Sequence, residues 1–314
     1  MACENGRLIT TTEAASEALR PGTRSGRRRL SLAWLGTLPF FAYALLFLFL
    51  PAGQVLTGAF KSKTGEWTFS NLHTLVQKPY ITYYETSIKI SLVTAIAGCL
   101  LGLAIAYAAI REGTPRWIRG MITTFSGVAA NFGGIPLAFA FIATIGNVGI
   151  VTRFLNNVLG WDIYSTNFPI FGQFTLFSAF GVGVVYMYFQ IPLMILVIAP
   201  AIDGLRREWR EAASNLGASA WQFWRYVGVP VLLPSLLGAT ILLFGNAFAA
   251  YATAYSLTAG SVGLVPIQIG YLYSGNVLDD PHLAQALAFG MFCVLAGMML
   301  IYIPLARRSA RWMR

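Results

Sequence analysis

A chain of 314 residues that is 56% hydrophobic and only 11% charged, with a mean hydropathy of +0.63, is too apolar for a soluble domain and reads as an integral membrane protein. Its net charge of +10 does not point to nucleic acid, because 17 of the 18 arginines fall in four segments, 7–29, 111–119, 206–225 and 307–314, that alternate with the segments expected outside. The three cysteines, Cys3, Cys99 and Cys293, are too scattered for a metal site or a disulfide framework.

Residues 1–30 are polar and arginine-rich and predict a mobile cytoplasmic tail. The first apolar run, 32–55, is longer than a signal-peptide core and no A-x-A site follows its end, so it is expected to stay as a transmembrane helix. An external stretch, 61–85, carries His73 with no partner at metal-ligand spacing. The second span, 87–110, places Ser91, Ala95, Gly98, Gly102 and Ala106 on one face, a stripe of small residues that lets helix backbones approach.

After a short inside turn a third span, 122–145, is interrupted by Asn131-Phe-Gly-Gly-Ile-Pro136, which reads equally as a proline kink or as backbone lining a passage. Ile150, Phe154, Leu155 and Val158 recur at helical spacing in the outside segment 146–171 and predict a short interfacial helix. The fourth span, 173–198, carries Gln190 and Pro192, whose polar demands direct them to the bundle interior.

Residues 203–230 form the longest amphipathic segment between apolar runs. Helix formers run to Leu216, Gly217 suits a left-handed helix end, Ser219 suits an N-cap, and Pro230 suits the first turn of the next span. Glu211 stands four residues after Arg207, which fits an ordinary surface pair. The fifth span, 230–257, carries Phe244, Phe248, Tyr251 and Tyr255 on one face with Asn246 beside them, a pattern that fits packing or an aromatic belt as well as a substrate wall. An outside loop, 258–282, leads to a sixth span, 284–305. Six helices with both termini cytoplasmic satisfy every arginine cluster, and the predicted fold is an all-α, polytopic membrane protein.

Glu211-Ala212-Ala213, then Gly217, then Val227, Val229 and Pro230 resemble the EAA loop of importer permeases of the ATP-binding-cassette (ABC) superfamily. Phe189-Gln-Ile-Pro-Leu-Met, Tyr251-Ala-Thr and Val265-Pro-Ile extend the likeness over about residues 70–306, with wording most similar to polyamine and aminoethylphosphonate permeases. The resemblance implies the type I importer permease fold, with a permease core at 70–306 that holds the coupling loop at 203–230; before it stand the tail at 1–30 and, at 31–69, the first transmembrane helix with the start of the external loop, and after it a second tail at 307–314. It implies ABC ATPase subunits that hold ATP and Mg, a second permease subunit, identical or homologous, and an extracytoplasmic solute-binding protein, all at the cytoplasmic membrane. The coupling residues it implies are Glu211, Ala212, Ala213, Gly217, Val227, Val229 and Pro230.

The chain has no phosphate-binding G-x-x-x-x-G-K-[ST], no H-E-x-x-H and no G-x-S-x-G, so neither a catalytic nor a metal site is expected in it. An ion-coupled carrier or channel is the alternative, but carriers place ionisable groups near the midplane and these spans do not. The expected passage is neutral and polar, formed from Asn131, Gln190, Asn246, Tyr251 and Tyr255, with Gln173 and Tyr186 also at membrane depth. Such a lining leaves room for a zwitterionic or anionic solute such as a phosphonate beside the polyamine reading.

Overall fold

A computed structural model describes residues 36–110, 114–165, 167–168, 172–274 and 280–310. The expected N-terminal tail lies outside the described residues. The described residues divide into two units between Ala52 and Gly53.

The first long helix, α1, spans Leu38–Gly58, about three residues later at its far end than the apolar run predicts. It contains a π turn at Leu45–Phe49, in which the Leu50 N–H reaches back five residues to the Leu45 carbonyl. The cause is Pro51, which has no N–H for the Phe47 carbonyl, so the ladder slips by one residue.

In the second unit a short helix α2, Ser70–Leu75, leads into α3, Tyr80–Ile110. His73 lies on α2 and pairs with Gln77, its Nδ1 3.1 Å from the amide nitrogen. The predicted third span is two helices, α4 (Arg116–Asn131) and α5 (Gly134–Ile145). Helix α6, Ile150–Leu159, follows where periodicity predicts it, and a hairpin of β1 (Asn167–Phe168) and β2 (Gly172–Gln173) lies beyond. By length and hydropathy, Gly134–Leu159 is the third stretch able to cross a membrane, because α4 alone, with 16 residues, is too short.

Helix α7 runs from Ala179 to Asp203, so the fourth span begins six residues later than expected; Ser178 caps it by accepting the Gly181 N–H. Next come α8 (Arg207–Asn215) and α9 (Ala220–Phe223), a π turn at Trp224–Gly228, and α10 (Val229–Phe248). This second π turn also ends two residues before a proline, Pro230, for the same reason as the first. The fifth span, expected to continue to about Leu257, stops at Phe248 and resumes as α11, Ala252–Thr258. The loop expected at 258–282 contains a further helix, α12 (Val265–Ser274), whose first residues Val265, Pro266 and Ile267 are buried. Helix α13, Pro281–Ala310, completes six membrane-length stretches among the described residues.

The core is built on α7, which packs on α3, α4 and α10, while α13 packs on α10 and α12. One hydrophobic cluster joins α3, α7, α10 and α13, and a second joins α5, the first half of α7, α11 and the start of α12. The small-residue face of α3 makes the closest approach: Ser91, Ala95 and Ala106 are buried, Gly98 lies under Gln190, and Gly102 lies under Met194. The all-α expectation therefore holds, with the two-residue hairpin as the only strand structure among the described residues.

Candidate functional site

Two places hold the residues singled out by sequence. The first is the 203–230 loop. Helix α8 buries none of its residues. Its end is fixed by the backbone: Gly217 has φ +78°, the Gly217 N–H meets the Ser214 carbonyl at 2.9 Å, and the Ala218 N–H meets the Ala213 carbonyl at 2.9 Å. These paired bonds form a Schellman closure around a left-handed residue, the conformation glycine adopts at least cost.

Ser219 then starts α9 with a reciprocal cap, its Oγ accepting the Gln222 N–H while Gln222 Oε1 accepts the Ser219 N–H at 2.7 Å. The turn between the two helices is thus set locally, without help from the core. Phe223 is buried and Trp224 meets the Tyr107 ring edge-on at 4.9 Å, which anchors the loop to the end of α3. An Arg119–Asp203 ion pair joins the start of α4 to the end of α7 at the same end of the bundle.

Facing away from these anchors, Ala212, Leu216 (88% exposed), Gly217, Trp221 (72% exposed) and Tyr226 are open. Glu211 is exposed and accepts from Arg207 Nε at 2.9 Å, the surface pair expected from their spacing. Val227 and Pro230 are half-buried and Val229 is exposed at the start of α10. The helix-turn-helix is thus set by its own backbone bonds, leaves an apolar face open, and runs at its two ends into α7 and α10.

The second place is where the α4/α5 and α10/α11 breaks meet. In a continuous helix the Pro136 ring would strike the Phe132 carbonyl, so α4 ends at Asn131 and α5 restarts at Gly134, whose φ is +72°. The freed Gly134 N–H donates to Thr253 Oγ1 on α11 at 2.8 Å. At the other break the Ala250 carbonyl accepts from the Tyr186 hydroxyl of α7 at 2.8 Å. Each interruption exposes an orphan backbone group, and in each case a side chain from another helix satisfies it.

Beside this junction Asn131, Phe132, Asn246, Tyr251 and Tyr255 are exposed. Tyr251 and Tyr255 stack at 5.4 Å, and Tyr271 of α12 meets Tyr255 edge-on at 5.9 Å. Asn131 turns its amide onto the Gly127 carbonyl of its own helix at 3.0 Å. The far end of α5 is tied down as well, since the Ile145 carbonyl accepts both Thr152 Oγ1 at 3.1 Å and the Tyr164 hydroxyl at 2.8 Å. Burial pushes the Tyr164 phenol above its ordinary value.

Gln190 is a correction to the expected lining. Its side chain is fully buried between α3, α7 and α10, where Nε2 donates to the Leu243 carbonyl at 3.0 Å and Oε1 has no partner. It binds helices together and faces no passage. Thr253 and Tyr271 were missed by the sequence reading; the Tyr251-Ala-Thr phrase contains the first, while nothing local marks the second.

Residues 98–314 match the family described as binding-protein-dependent transport system inner membrane component. Among curated relatives, the probable sulfate transport system permease protein cysT of Zygnema circumcarinatum is 26% identical over 274 residues, covering 85% of this chain and 87% of the relative. The spermidine/putrescine transport system permease protein PotC homolog of Mycoplasma pneumoniae is 24% identical over 226 residues, covering 72% and 68%. Among solved structures, a bacterial ABC transporter involved in the import of the acidic polysaccharide alginate superposes with a TM-score of 0.66 at 16% identity, over 88% of this chain and 95% of that one. At that identity the superposition speaks for the fold.

Proposed function

The chain belongs to the family of binding-protein-dependent transport system inner membrane components, and from that premise we propose that it forms half of the membrane pathway of an ATP-driven importer for a small, polar, anionic or zwitterionic solute. It is a permease subunit of an ABC importer with a multi-pass position in the inner membrane.

In the proposed assembly a second permease subunit completes the pathway, and an extracytoplasmic binding protein delivers the solute. ABC ATPase subunits carrying Mg-ATP dock on the open face of α8 and α9. The observation that carries this reading is the self-contained turn at Gly217, which presents Ala212, Leu216 and Trp221 to a partner while its two ends continue into α7 and α10. Closure of the ATPases moves the loop, α7 and α10 tilt with it, and the pathway changes its open side.

The solute class rests on the charge of the exposed junction. Asn131, Asn246, Tyr251 and Tyr255 offer hydrogen bonds, and within the membrane-length stretches carboxylates occur only at their rims, as Glu85 and Asp203. A dehydrated polycation would be left without counter-charge from this half of the pathway. The relatives include both sulfate and spermidine/putrescine permeases by name; a bare anion would lack a counter-charge here too, but the Asn246 amide and the Tyr251 and Tyr255 hydroxyls can donate to its oxygens, which favours the oxyanion side.

Uptake in cells carrying the whole transporter should therefore rise for labelled sulfate or a small phosphonate over labelled spermidine. A preference for spermidine would overturn the solute class and leave the importer reading standing. Exchanging the binding protein should carry selectivity with it; a shift in the imported solute caused by Asn246 or Tyr251 variants with the binding protein constant would assign selectivity to the spans instead.

The arginine distribution supports a cytoplasmic position for both termini and for the 203–230 loop. An impermeant thiol reagent applied to sealed cells should label Ser62→Cys and Ser165→Cys but not Ser214→Cys, and labelling of Ser214→Cys would reverse the orientation.

A further inference from the structure

Resting on the importer reading, we propose that Thr253 and Tyr186 are positioning residues of a gate: they make α5 and α11, the outer continuations of α4 and α10, swing as one leaf about the two helix breaks.

The inner halves are fixed to the bundle that the coupling loop drives. Helix α4 packs along α7, α10 packs on α3, α7 and α13, and Gln190 staples α7 to α10 through the Leu243 carbonyl. Beyond the breaks the partners change. Helix α5 packs chiefly along α11, and Leu137, Ala138, Ala254 and Leu257 share the second hydrophobic cluster with Val182, Val185 and Phe189 of α7, the surface on which the leaf turns.

The two breaks lie side by side, since a Cβ placed on Gly134 would stand 3.8 Å from Ala252 Cβ. Thr253 Oγ1, 3% exposed, holds the first N–H of α5, so the hinge ends of the two half-helices are locked to each other. Tyr186, 2% exposed, holds the Ala250 carbonyl inside the α10/α11 break and so fixes the pivot to α7. The Thr152 and Tyr164 bonds to the Ile145 carbonyl carry α6 and the following loop with the far end of α5.

An unbroken helix transmits tilt along its whole length, whereas a break lets the two halves change angle. With the breaks pinned together, the motion left is a joint one, and it moves the exposed group Asn131, Phe132, Tyr251 and Tyr255 at the pivot. The pins are positioning groups, since both are buried away from that surface.

The test uses the full transporter in nanodiscs with its binding protein. Thr253→Val keeps shape and removes the acceptor; it should lower maximal stimulated ATP hydrolysis about tenfold, the scale of one buried hydrogen bond lost. Unstimulated hydrolysis and the half-saturating concentration of binding protein should stay unchanged, and Thr253→Ser should restore the rate. Stimulation equal to wild type in Thr253→Val, or equal loss in Thr253→Ser, overturns the gate.

A second measurement does not depend on how well the valine variant folds. With Cys3, Cys99 and Cys293 replaced by alanine, the pair Gly134→Cys and Ala252→Cys is within disulfide reach. Gly134 stands at φ +72°, so a cysteine there is strained and the reduced form is the reference: the stimulated hydrolysis of that form should survive oxidation of the same preparation, because the leaf moves as a unit. Loss of stimulation on oxidation means that α5 and α11 separate in each cycle, which overturns the proposal. A wild-type complex that its binding protein does not stimulate would instead overturn the importer reading beneath it.

Discussion

Replacing Gly217 by valine should abolish solute-stimulated ATP hydrolysis and uptake while leaving the chain inserted at near wild-type level. Gly217 sits at φ +78°, and no atom lies within 4 Å of where its Cβ would be, so the substitution meets no neighbour. The penalty is conformational: a left-handed β-branched residue costs about 1–2 kcal/mol or more. The chain relieves that strain by leaving the left-handed region, which breaks the Ser214 and Ala213 carbonyl bonds and redirects α8 relative to α9.

Because α8 buries nothing, this rearrangement costs the core little, and the loss falls on docking geometry. Gly217→Ala should act in the same direction and more weakly. Glu211→Ala removes an exposed pair worth roughly 0.3–0.5 kcal/mol to a helix, so any large loss of transport in it reports contact with a partner. Stimulated hydrolysis and a quantitative blot of the membrane fraction decide the matter: if inserted Gly217→Val falls in proportion to lost uptake, the turn serves folding and not coupling.

What was legible in the sequence was what local chemistry determines. Gly217 as a left-handed helix end and Ser219 as an N-cap follow from residue type alone, and the structure shows both, adding the reciprocal Gln222 bond that completes the cap. Pro136 announces the α4/α5 break, because a missing N–H and a ring clash need no tertiary context. The α10/α11 break carries no such mark. Between Phe248 and Ala254 there is neither glycine nor proline, and Ala249 and Ala250 are good helix formers. That interruption is held by Tyr186, 64 residues away, and by Thr253 reaching α5, contacts no local pattern reveals. Helix α12 escapes pattern for the opposite reason, since its apolar start at Val265 is too short for a span and is indistinguishable from loop by sequence. Gln190 shows the remaining limit: polarity at depth requires a partner, but whether the partner is a passage or a neighbouring helix is a question of packing.

The close approach of α3 and α7 carries the largest expected effect on stability. A Cβ on Gly102 would stand 2.5 Å from Met194 Cβ and 3.0 Å from the Ile191 carbonyl oxygen. Neither atom can step aside without moving the α7 backbone, and α7 is the helix on which α3, α4 and α10 all pack. Overpacking of this kind costs about 1–3 kcal/mol and more where backbone must move, so Gly102→Val should strip most folded protein from the membrane. Gly102→Ala should lower the midpoint of thermal unfolding measurably in detergent.

Met194→Ala should fail to rescue Gly102→Ala, because alanine keeps the Cβ that makes the clash. Gly127→Ala on α4 is the matched control: no atom lies within 4 Å of its added methyl, and alanine favours a helix over glycine by about 0.8–1.0 kcal/mol. Equal thermal midpoints for Gly102→Ala and Gly127→Ala would mean that α3 and α7 do not meet at this distance, and the small residues of α3 would then need another explanation.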